Sequence, residues 1–480
     1  MTTIPQRVLV MGGGPAGLAS GHYLIKSGFE VQVLEKDQMV GGLARTEVRD
    51  GFRFDIGGHR WFTKKDELNQ FLVNLMADEL ILVNRISRIF FDDKYIDYPI
   101  RLKNVLKRVG PVVGTRAVGD FLVSSAKKKF NPKANISMED AYVDQFGRTL
   151  YEMFFKNYSE KVWGRNPNNL SSDWVNQRTK GLSLLTAIKD SVVHKDGKME
   201  SLVERFMYPA HGFGRISERM AEDINNHDQG NIELEAFIVE VGHRNERIET
   251  VTWQRNGHTY VEAADQFISS IPMTELLRIL RPAAPSHLVE AAAQLSYRDI
   301  VTVNLMFKRE RISLDTWVYV HDTNIKFARF HEPKNWSEAM VPPGYTSVVC
   351  EYFCNQGDEI WEMSEANLCE LTLHYMADIL HFVEKNEVCG GFAIHCKDAY
   401  PTYTIGYKER VEAIKDYLNS FSNLQIVGRG GTFRYNNSDH SIETGMLAAK
   451  NLLGEKHNLD LVNSSDEYLE ERKVKNGRSK

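Results

Sequence analysis

The sequence predicts an α/β fold that begins with a parallel β-α-β unit. Residues 8–11 have the apolar, β-branched character of a buried strand and run directly into a glycine-rich turn at 12–17. An apolar helical stretch follows over 18–26, and a second strand at 31–34 ends on Glu35. These elements fit one unit of about thirty residues, in which a helix joins two parallel strands.

The rest of the chain mixes helices and strands. Two strand-like runs flank Asp92 and Asp93, so a hairpin is predicted over 86–98. Few strand signals occur between 101 and 200, which predicts a mainly helical region. Further helices are predicted at 66–77, 363–386 and 440–454, and further strands at 232–270, 296–306, 314–330, 345–354 and 424–428.

Composition bounds the class of protein. The 480 residues are enough for two or three domains with a large buried core. The net charge of −5 is too small to indicate a nucleic-acid partner, and we expect none. The five cysteines lack C-x-x-C spacing and are predicted to be reduced thiols. The short polar start and the lack of a run of about 18 apolar residues predict a cytoplasmic protein with no transmembrane segment.

The first glycine-rich turn is a dinucleotide-binding motif. Gly12, Gly14 and Gly17 fit the G-x-G-x-x-G spacing between a strand and a helix. The first glycine permits the tight turn, the second lets the backbone approach a pyrophosphate, and the third lets the helix pack on the strand. Glu35 lies about twenty residues further on, where an acid accepts hydrogen bonds from a ribose. This pattern predicts a Rossmann-type unit with the pyrophosphate at the helix N-terminus.

Two further glycine segments follow closely. One runs from Gly41 to Thr46, and the other, at 55–59, ends in Gly57, Gly58 and His59. They resemble the second signature of the flavoprotein superfamily that contains amine oxidases, protoporphyrinogen oxidases and UDP-galactopyranose mutases. That resemblance implies FAD as the cofactor, with Arg45 meeting its phosphates and the Gly-Gly-His turn lying against the isoalloxazine. A packing histidine is the alternative for His59.

The end of the chain carries a third segment of this kind. Residues 427–431 and 439–445 are similar to the superfamily's second flavin-binding segment. There a helix N-terminus points at the pyrimidine edge of the flavin, and its dipole stabilises a reduced, anionic flavin. Asp439 is predicted either to bond nearby or to cap this helix. The full set of expected FAD contacts is Gly12, Gly14, Pro15, Ala16, Gly17, Glu35, Lys36, Gly42, Leu43, Ala44, Arg45, Gly57, Gly58, His59, Val239, Gly428, Arg429, Asp439, His440 and Ser441.

These motifs predict a discontinuous domain organisation. A glutathione-reductase-like FAD-binding domain of the Rossmann type is expected from residues 1–75, 200–272 and 395–455. A mainly helical substrate or cap region is expected over 76–199, and a substrate domain with a mixed β-sheet over 273–394. The charged tail over 456–480 is expected to fray.

The middle of the chain resembles the UDP-galactopyranose mutase branch in particular. The string FFDDKYIDYPIRL at 90–102 is similar to a hairpin of that family, and YSEKVWGRNPNNL at 158–170 to its Tyr-x-x-Lys-x-Trp-Gly string. LSYRDI at 295–300 resembles its Tyr-Arg-Ser segment, and Tyr400 precedes the Gly428-Arg429 pair at the family's interval. The likeness implies pyranose/furanose isomerisation of a nucleotide-linked sugar through reduced flavin N5, with NAD(P)H as a candidate reductant.

The residue types also suit an anionic sugar nucleotide on chemical grounds. Guanidinium groups pair bidentately with pyrophosphate, tyrosine hydroxyls donate to its oxygens, and a tryptophan offers an apolar face to a sugar. Structural ion pairs are the alternative for each arginine taken alone. The expected substrate contacts are Trp163, Arg178, Arg298, Tyr400 and Tyr435. The expected catalytic residues are His59, Arg298 and Arg429.

The sequence also allows other interpretations. Residues 269–273 (SSIPM) are more typical of the oxidase branches, so an FAD-dependent oxidoreductase that transfers a hydride to flavin is the main alternative. A flavin-containing binding protein without turnover is a third. A basic stretch including 127–129 is a solvated face or a membrane contact. No metal site is predicted, and the sequence leaves the oligomeric state open, a homo-oligomer included.

Overall fold

The structure is a computed structural model that describes residues 6–98, 115–117, 119–124, 136–178 and 205–463, with the backbone alone at 97, 98 and 178. The predicted basic stretch at 127–129 and most of the predicted charged tail lie outside the described residues. Among these residues, no helix is long and apolar enough to cross a membrane.

The strands are numbered in chain order. The first ten are β1 (Arg7–Met11), β2 (Glu30–Leu34), β3 (Thr46–Arg49), β4 (Phe52–Asp55), β5 (Leu80–Asn84), β6 (Ser87–Phe91), β7 (Lys94–Tyr98), β8 (Arg205–Pro209), β9 (Gly230–Glu233) and β10 (Phe237–Arg244). They are followed by β11 (Arg247–Arg255), β12 (His258–Ala263), β13 (Gln266–Ser269), β14 (Leu280–Arg281), β15 (Ser296–Phe307), β16 (Trp317–Val320), β17 (Arg329–His331), β18 (Thr346–Cys354), β19 (Val388–Thr402) and β20 (Leu424–Ile426).

The helices are numbered in the same way. They are α1 (Pro15–Ile25), α2 (Asp66–Met76), α3 (Met138–Phe146), α4 (Arg148–Leu150), α5 (Asn157–Trp163), α6 (Asp173–Arg178), α7 (Arg215–Asn225), α8 (Met273–Ile279), α9 (Ser286–Ala293), α10 (Glu359–Glu362), α11 (Glu365–His374), α12 (Tyr407–Asn419), α13 (Gly428–Gly431) and α14 (Ser438–Leu452). A π-helical segment, Tyr151–Lys156, joins α4 to α5.

The parallel sheet assembles strands from four separated parts of the chain. Its order is β20-β13-β1-β2-β9, and every neighbouring pair is parallel. The predicted β-α-β unit is β1-α1-β2 at the centre of this sheet. Because β13 pairs with β1 and β20 pairs with β13, the ends of these three parallel strands lie near the first glycine turn. The α/β class predicted from the sequence is confirmed.

A second, mixed sheet has seven strands in the order β19-β15-β18-β17-β16-β6-β7. Two sequence expectations differ from this topology. The predicted hairpin at 86–98 forms as β6 and β7, but it joins the large sheet by parallel pairing of β6 with β16 instead of belonging to a helical region. The expected boundary at 394–395 falls inside β19, because that strand pairs with β15 along most of its length.

One predicted strand was wrong. The stretch 314–330 forms two short strands, β16 and β17, separated by a loop at 321–328. This 321–328 loop carries Ile325, Phe327 and Ala328, which are fully buried. Their burial produces the apolar pattern that sequence reasoning interpreted as one continuous strand.

The two outermost motifs of the chain pack against each other. The Cβ of an alanine at Gly445 in α14 would lie 2.1 Å from the carbonyl oxygen of Ala16 in α1. A Cβ added at Gly428 would lie 2.8 Å from the Cβ of Ala16. The N-terminal and C-terminal glycine segments therefore form one close-packed surface, although more than 400 residues separate them in the sequence.

Candidate active site

The first glycine turn has the geometry of a phosphate cradle. Gly12 has a φ of 103°, in the region that favours glycine. A Cβ at Gly17 would lie 2.0 Å from the Gly12 carbonyl oxygen, so the helix packs on the turn only because this residue lacks a side chain. At Gly14, by contrast, a Cβ would meet nothing within 4 Å. The backbone of Gly14 thus faces open space at the N-terminus of α1.

Glu35 lies beside this turn at the end of β2. It is buried, and its carboxylate accepts hydrogen bonds from the Gly13 N–H (2.7 Å) and the Asp37 N–H (2.9 Å). Burial raises its pKa, and the two backbone donors act in the opposite direction. Each oxygen keeps a further acceptor position, as a ribose partner requires.

The second glycine segment lies next to the first. A short 3₁₀ turn, Gly42–Ala44, follows Gly41, whose N–H donates to the Gly13 carbonyl oxygen (2.9 Å). Arg45 leaves this turn half-buried, and its Nε donates to Glu47 Oε1 (2.7 Å). Arg45 is therefore close to the cradle while held by an acidic neighbour.

The Gly57-Gly58 turn packs against the seven-stranded sheet. The Gly58 N–H donates to Glu351 Oε1 (3.2 Å), and a Cβ at Gly57 would lie 2.8 Å from Glu351 Oε2. A Cβ at Gly58 would lie 2.6 Å from the ring of Trp317. These two positions require glycine because β16 and β18 press directly on the turn.

His59 follows this turn and lies among cations. Its Nδ1 is 3.3 Å from the Gly57 carbonyl oxygen, and its ring packs at 5.4 Å from that of Phe213. Burial, together with the charges of Arg429 and Arg329, lowers the pKa of His59 to about 4. At neutral pH the imidazole is therefore uncharged, with one donor and one acceptor nitrogen.

An arginine–carboxylate pair that the sequence did not predict lies next to His59, with its carboxylate fully buried. Arg329 on β17 donates through Nε to Glu351 Oε2 (2.7 Å). The Glu351 side chain has no exposed surface. Its Nη2 donates to the hydroxyl oxygen of Tyr400 (2.9 Å). The guanidinium also lies over the rings of Trp317 (5.2 Å) and Phe353 (5.1 Å). The one sequence signal was a lone acid inside the apolar stretch 345–354.

Arg429 and two tyrosines complete the same cluster. The guanidinium carbon lies 5.0 Å from the ring centre of Tyr400 and 5.1 Å from that of Tyr435, and these rings stack at 5.2 Å. Arg429 also donates to the carbonyl oxygens of Asn436 (2.8 Å) and Ala399 (2.9 Å). Trp163 is buried, with its ring centre 6.4 Å from that of Tyr435. The structure thus brings Trp163, Tyr400, Arg429 and Tyr435 together.

Arg298 is adjacent to this cluster but engaged with backbone. It pairs with Tyr400 across β15 and β19. Its Nε donates to the Val162 carbonyl oxygen (3.0 Å) and its Nη2 to that of Phe353 (2.8 Å). The buried guanidinium lies against Gly164, directly after α5. Most of its donors hold protein backbone.

The N-terminus of α14 carries three expected cofactor contacts. Asp439, His440 and Ser441 are all buried there. The N-cap of this helix is Asn437, which excludes one of the two alternatives for Asp439, that of a helix cap. Burial raises the pKa of Asp439 to about 7.

The remaining predicted residues lie in different settings. Lys36 is exposed just beyond Glu35, and Leu43 is half-buried in the Gly42–Ala44 turn. Val239 is half-buried at an irregularity in the pairing of β10 with β11. The side chain of Arg178 lies outside the described residues. All five cysteines are free, and the described residues contain no cluster of acids, histidines or cysteines that could hold a metal.

The parallel sheet, the glycine cradle and the acid at the end of β2 define a dinucleotide-binding α/β protein. The chain belongs to the flavin-containing amine oxidoreductase family, whose sequence profile matches residues 15–466. The superfamily resemblance seen in the sequence is confirmed, and FAD is the cofactor of this chain.

Individual relatives differ in what they share with the chain. It is 22% identical over 327 residues to an L-amino-acid oxidase from Crotalus adamanteus, a match that covers 64% of this chain and 59% of the relative. The chain thus spans about three fifths of that curated relative. A reduced UDP-galactopyranose mutase has the same fold, with a TM-score of 0.81, 21% identity and 96% of both chains covered. A putative protoporphyrinogen oxidase from Exiguobacterium sp. 255-15 also has this fold, with a TM-score of 0.70 and 16% identity. The match covers 94% of this chain and 100% of the oxidase chain.

Proposed function

We propose that FAD extends from the Gly12–Gly17 cradle to the N-terminus of α14. Three observations support this path: the open space at Gly14, the acceptor positions of Glu35 and the close packing of Gly428 on Ala16. The adenine end would lie at β2 and the flavin end near His59. In this proposal residues 1–75, 200–272 and the part of 395–455 that follows β19 form a glutathione-reductase-like cofactor domain.

We infer that the substrate is a nucleotide-linked sugar and that the reaction is pyranose/furanose isomerisation. The observation that carries this inference is the cationic, tyrosine-lined cluster formed by Arg329, Arg429, Tyr400 and Tyr435. Two guanidinium groups and two phenol hydroxyls suit the oxygens of a diphosphate. A ligand whose only charged group is a protonated amine would be repelled by this cluster.

The chain's own groups divide the work. Arg329 and Arg429 bind and orient the diphosphate, and their rigid anchoring to Glu351 and to backbone carbonyls keeps them aimed at it. The aromatic rings exclude water, which strengthens these charged contacts. Neutral His59 is able to hold or release a proton at one imidazole nitrogen beside the flavin end.

When bound, FAD supplies a nucleophilic nitrogen in its reduced form and a two-electron acceptor in its oxidised form. We propose that Arg298 stabilises the backbone next to this site, because backbone carbonyl oxygens accept hydrogen bonds from its Nε and Nη2. Arg178 remains a proposed substrate contact. NAD(P)H remains a proposed reductant.

An oxidoreductase is the second candidate, favoured by the matching L-amino-acid oxidase. An arginine pair binds a carboxylate as well as a phosphate, so an α-amino acid is a chemically reasonable ligand for the same cluster. The two candidates differ in net redox. Only the oxidase consumes oxygen in proportion to substrate, and only the mutase leaves the substrate's oxidation state unchanged.

Binding of UDP to the FAD-loaded protein tests the proposal, with the flavin absorbance spectrum as the readout. Arg429→Met should weaken UDP binding roughly ten- to 150-fold, the value of a hydrogen bond to a charged group. Arg434→Met is the matched control, because Arg434 also donates to backbone carbonyls, those of Asp460 and Val462, but lies outside the cluster. Equal UDP affinity in both variants, at equal flavin content, would contradict the proposed diphosphate site.

A further inference from the structure

Helix α5 (Asn157–Trp163) presents two aromatic side chains to the proposed substrate site. Tyr158, at its start, stacks on His321 of the 321–328 loop with ring centres 4.4 Å apart. Burial raises the pKa of Tyr158, and the nearby charge of Arg329 acts in the opposite direction. Trp163, at its end, packs edge-on against Tyr435. The position of α5 therefore fixes one side of the cluster.

Lys161 lies between these two aromatic residues and bonds to the opposite element. Its ammonium donates to the carbonyl oxygens of Val320 (2.8 Å) and Asp322 (2.6 Å), and more weakly to that of Phe327 (3.4 Å). All three carbonyls belong to the end of β16 and the 321–328 loop. One side chain thus joins α5 to both ends of this loop.

The loop that Lys161 holds leads directly into the arginine cluster. β16 before it carries Trp317, and β17 after it begins with Arg329. On its other side, α5 is held by Arg298, which donates to the Val162 carbonyl oxygen (3.0 Å). Two basic side chains bound to backbone carbonyls therefore anchor the C-terminal end of the continuous helical stretch 148–163.

We propose that Lys161 is a positioning residue that docks α5 on the 321–328 loop and thereby sets Tyr158 and Trp163 against the substrate cluster. The Lys161 Nζ directs its donors at three backbone carbonyl oxygens, and burial lowers its pKa to about 7. The expected effect of Lys161 on ligand affinity rests on the proposed function. The docking itself does not.

Lys161→Met tests this proposal, because it keeps the length of the side chain and removes the ammonium. Hydrogen–deuterium exchange of the FAD-loaded variant should rise about tenfold in peptides covering 157–163 and 321–328, as the loss of a charge-assisted hydrogen bond implies. Peptides covering 247–263, in another sheet, should not change. UDP affinity, measured through the flavin spectrum, should fall by a similar factor of about ten.

Lys326→Met is the matched control. Lys326 leaves the same loop, but its ammonium pairs with exposed Glu359 at 2.6 Å, so exchange and UDP affinity should stay within about twofold of the wild type. Unchanged exchange in Lys161→Met overturns the docking role. A general rise with loss of FAD, or a local rise with unchanged UDP affinity, overturns the positioning role. If the wild type itself fails to bind UDP, the proposed nucleotide-sugar function fails, while the exchange result still decides whether Lys161 docks α5.

Discussion

Replacing Gly14 by alanine separates cofactor binding from folding. Gly14 is the N-cap of α1 with φ −75° and ψ 176°, a conformation that alanine adopts readily, and its Cβ would meet no protein atom within 4 Å. The cost to the apoprotein is the difference between glycine and alanine at an N-cap, about 0.5–1 kcal/mol. If the pyrophosphate of FAD occupies the open space, however, the new methyl group collides with it.

The expected loss in FAD affinity follows from the free energy that an extra methyl group costs in a filled site. One extra methyl group in a filled site costs about 1–3 kcal/mol, or roughly five- to 150-fold in the dissociation constant. Titration of apoprotein with FAD, followed by quenching of flavin fluorescence, measures this change. Gly119→Ala is the control, since a Cβ there also meets nothing within 4 Å but lies away from the cradle. Wild-type FAD affinity in Gly14→Ala would refute the proposed path of the cofactor.

Three further predictions concern stability. Glu351→Gln leaves the largely buried Arg329 without its counter-charge and should lower the free energy of unfolding by about 3 kcal/mol in urea titrations. The folded-state pKa of His59 is lowered from 6.5 to about 4, so the unfolded chain takes up this proton first. The unfolding free energy should therefore fall as the pH drops from about 6.5 towards 4, and His59→Gln should reduce that slope. Gly445→Ala drives a methyl group into the Ala16 carbonyl oxygen and should cost about 3 kcal/mol, seen as a lower Tm.

Control variants and measurable outcomes test these three stability predictions. Glu338→Gln removes an exposed carboxylate that pairs with Arg311 and should change the unfolding free energy by at most about 1 kcal/mol. An equal loss in both glutamate variants would mean that burial of the Glu351 pair is unimportant. An unchanged pH slope in His59→Gln would show that His59 is not the group responsible. A Gly445→Ala protein as stable as Gly119→Ala would exclude close packing of α14 on α1.

The parts of the fold with local signals were predictable. The strand, glycine turn and helix of the β1-α1-β2 unit follow one another within thirty residues, so spacing alone identified them. The hairpin at 86–98 was equally local, and both Asp92 and Asp93 have the positive φ of its turn (52° each). The sheet that hairpin joins was not predictable, because its partner β16 lies more than 200 residues away.

The site shows the same division. Arg429, Tyr400 and Tyr435 were found by their likeness to family motifs, and they do cluster. Arg329 and Glu351 were missed because they meet only through the pairing of β17 with β18. Nothing near them in the sequence indicates that register. Arg298 was expected to act on substrate, but the carbonyls that accept from it become visible only when α5 packs beside β15.

We propose that this flavoenzyme isomerises a nucleotide-linked sugar instead of oxidising it. The most direct measurement is turnover of UDP-galactofuranose by the purified FAD-loaded protein, with and without dithionite, followed by chromatography of the products. We expect conversion to the pyranose only when the flavin is reduced, without oxygen consumption. No conversion in either redox state, together with flavin bleaching and oxygen uptake on an L-amino acid, would contradict it and identify an oxidase.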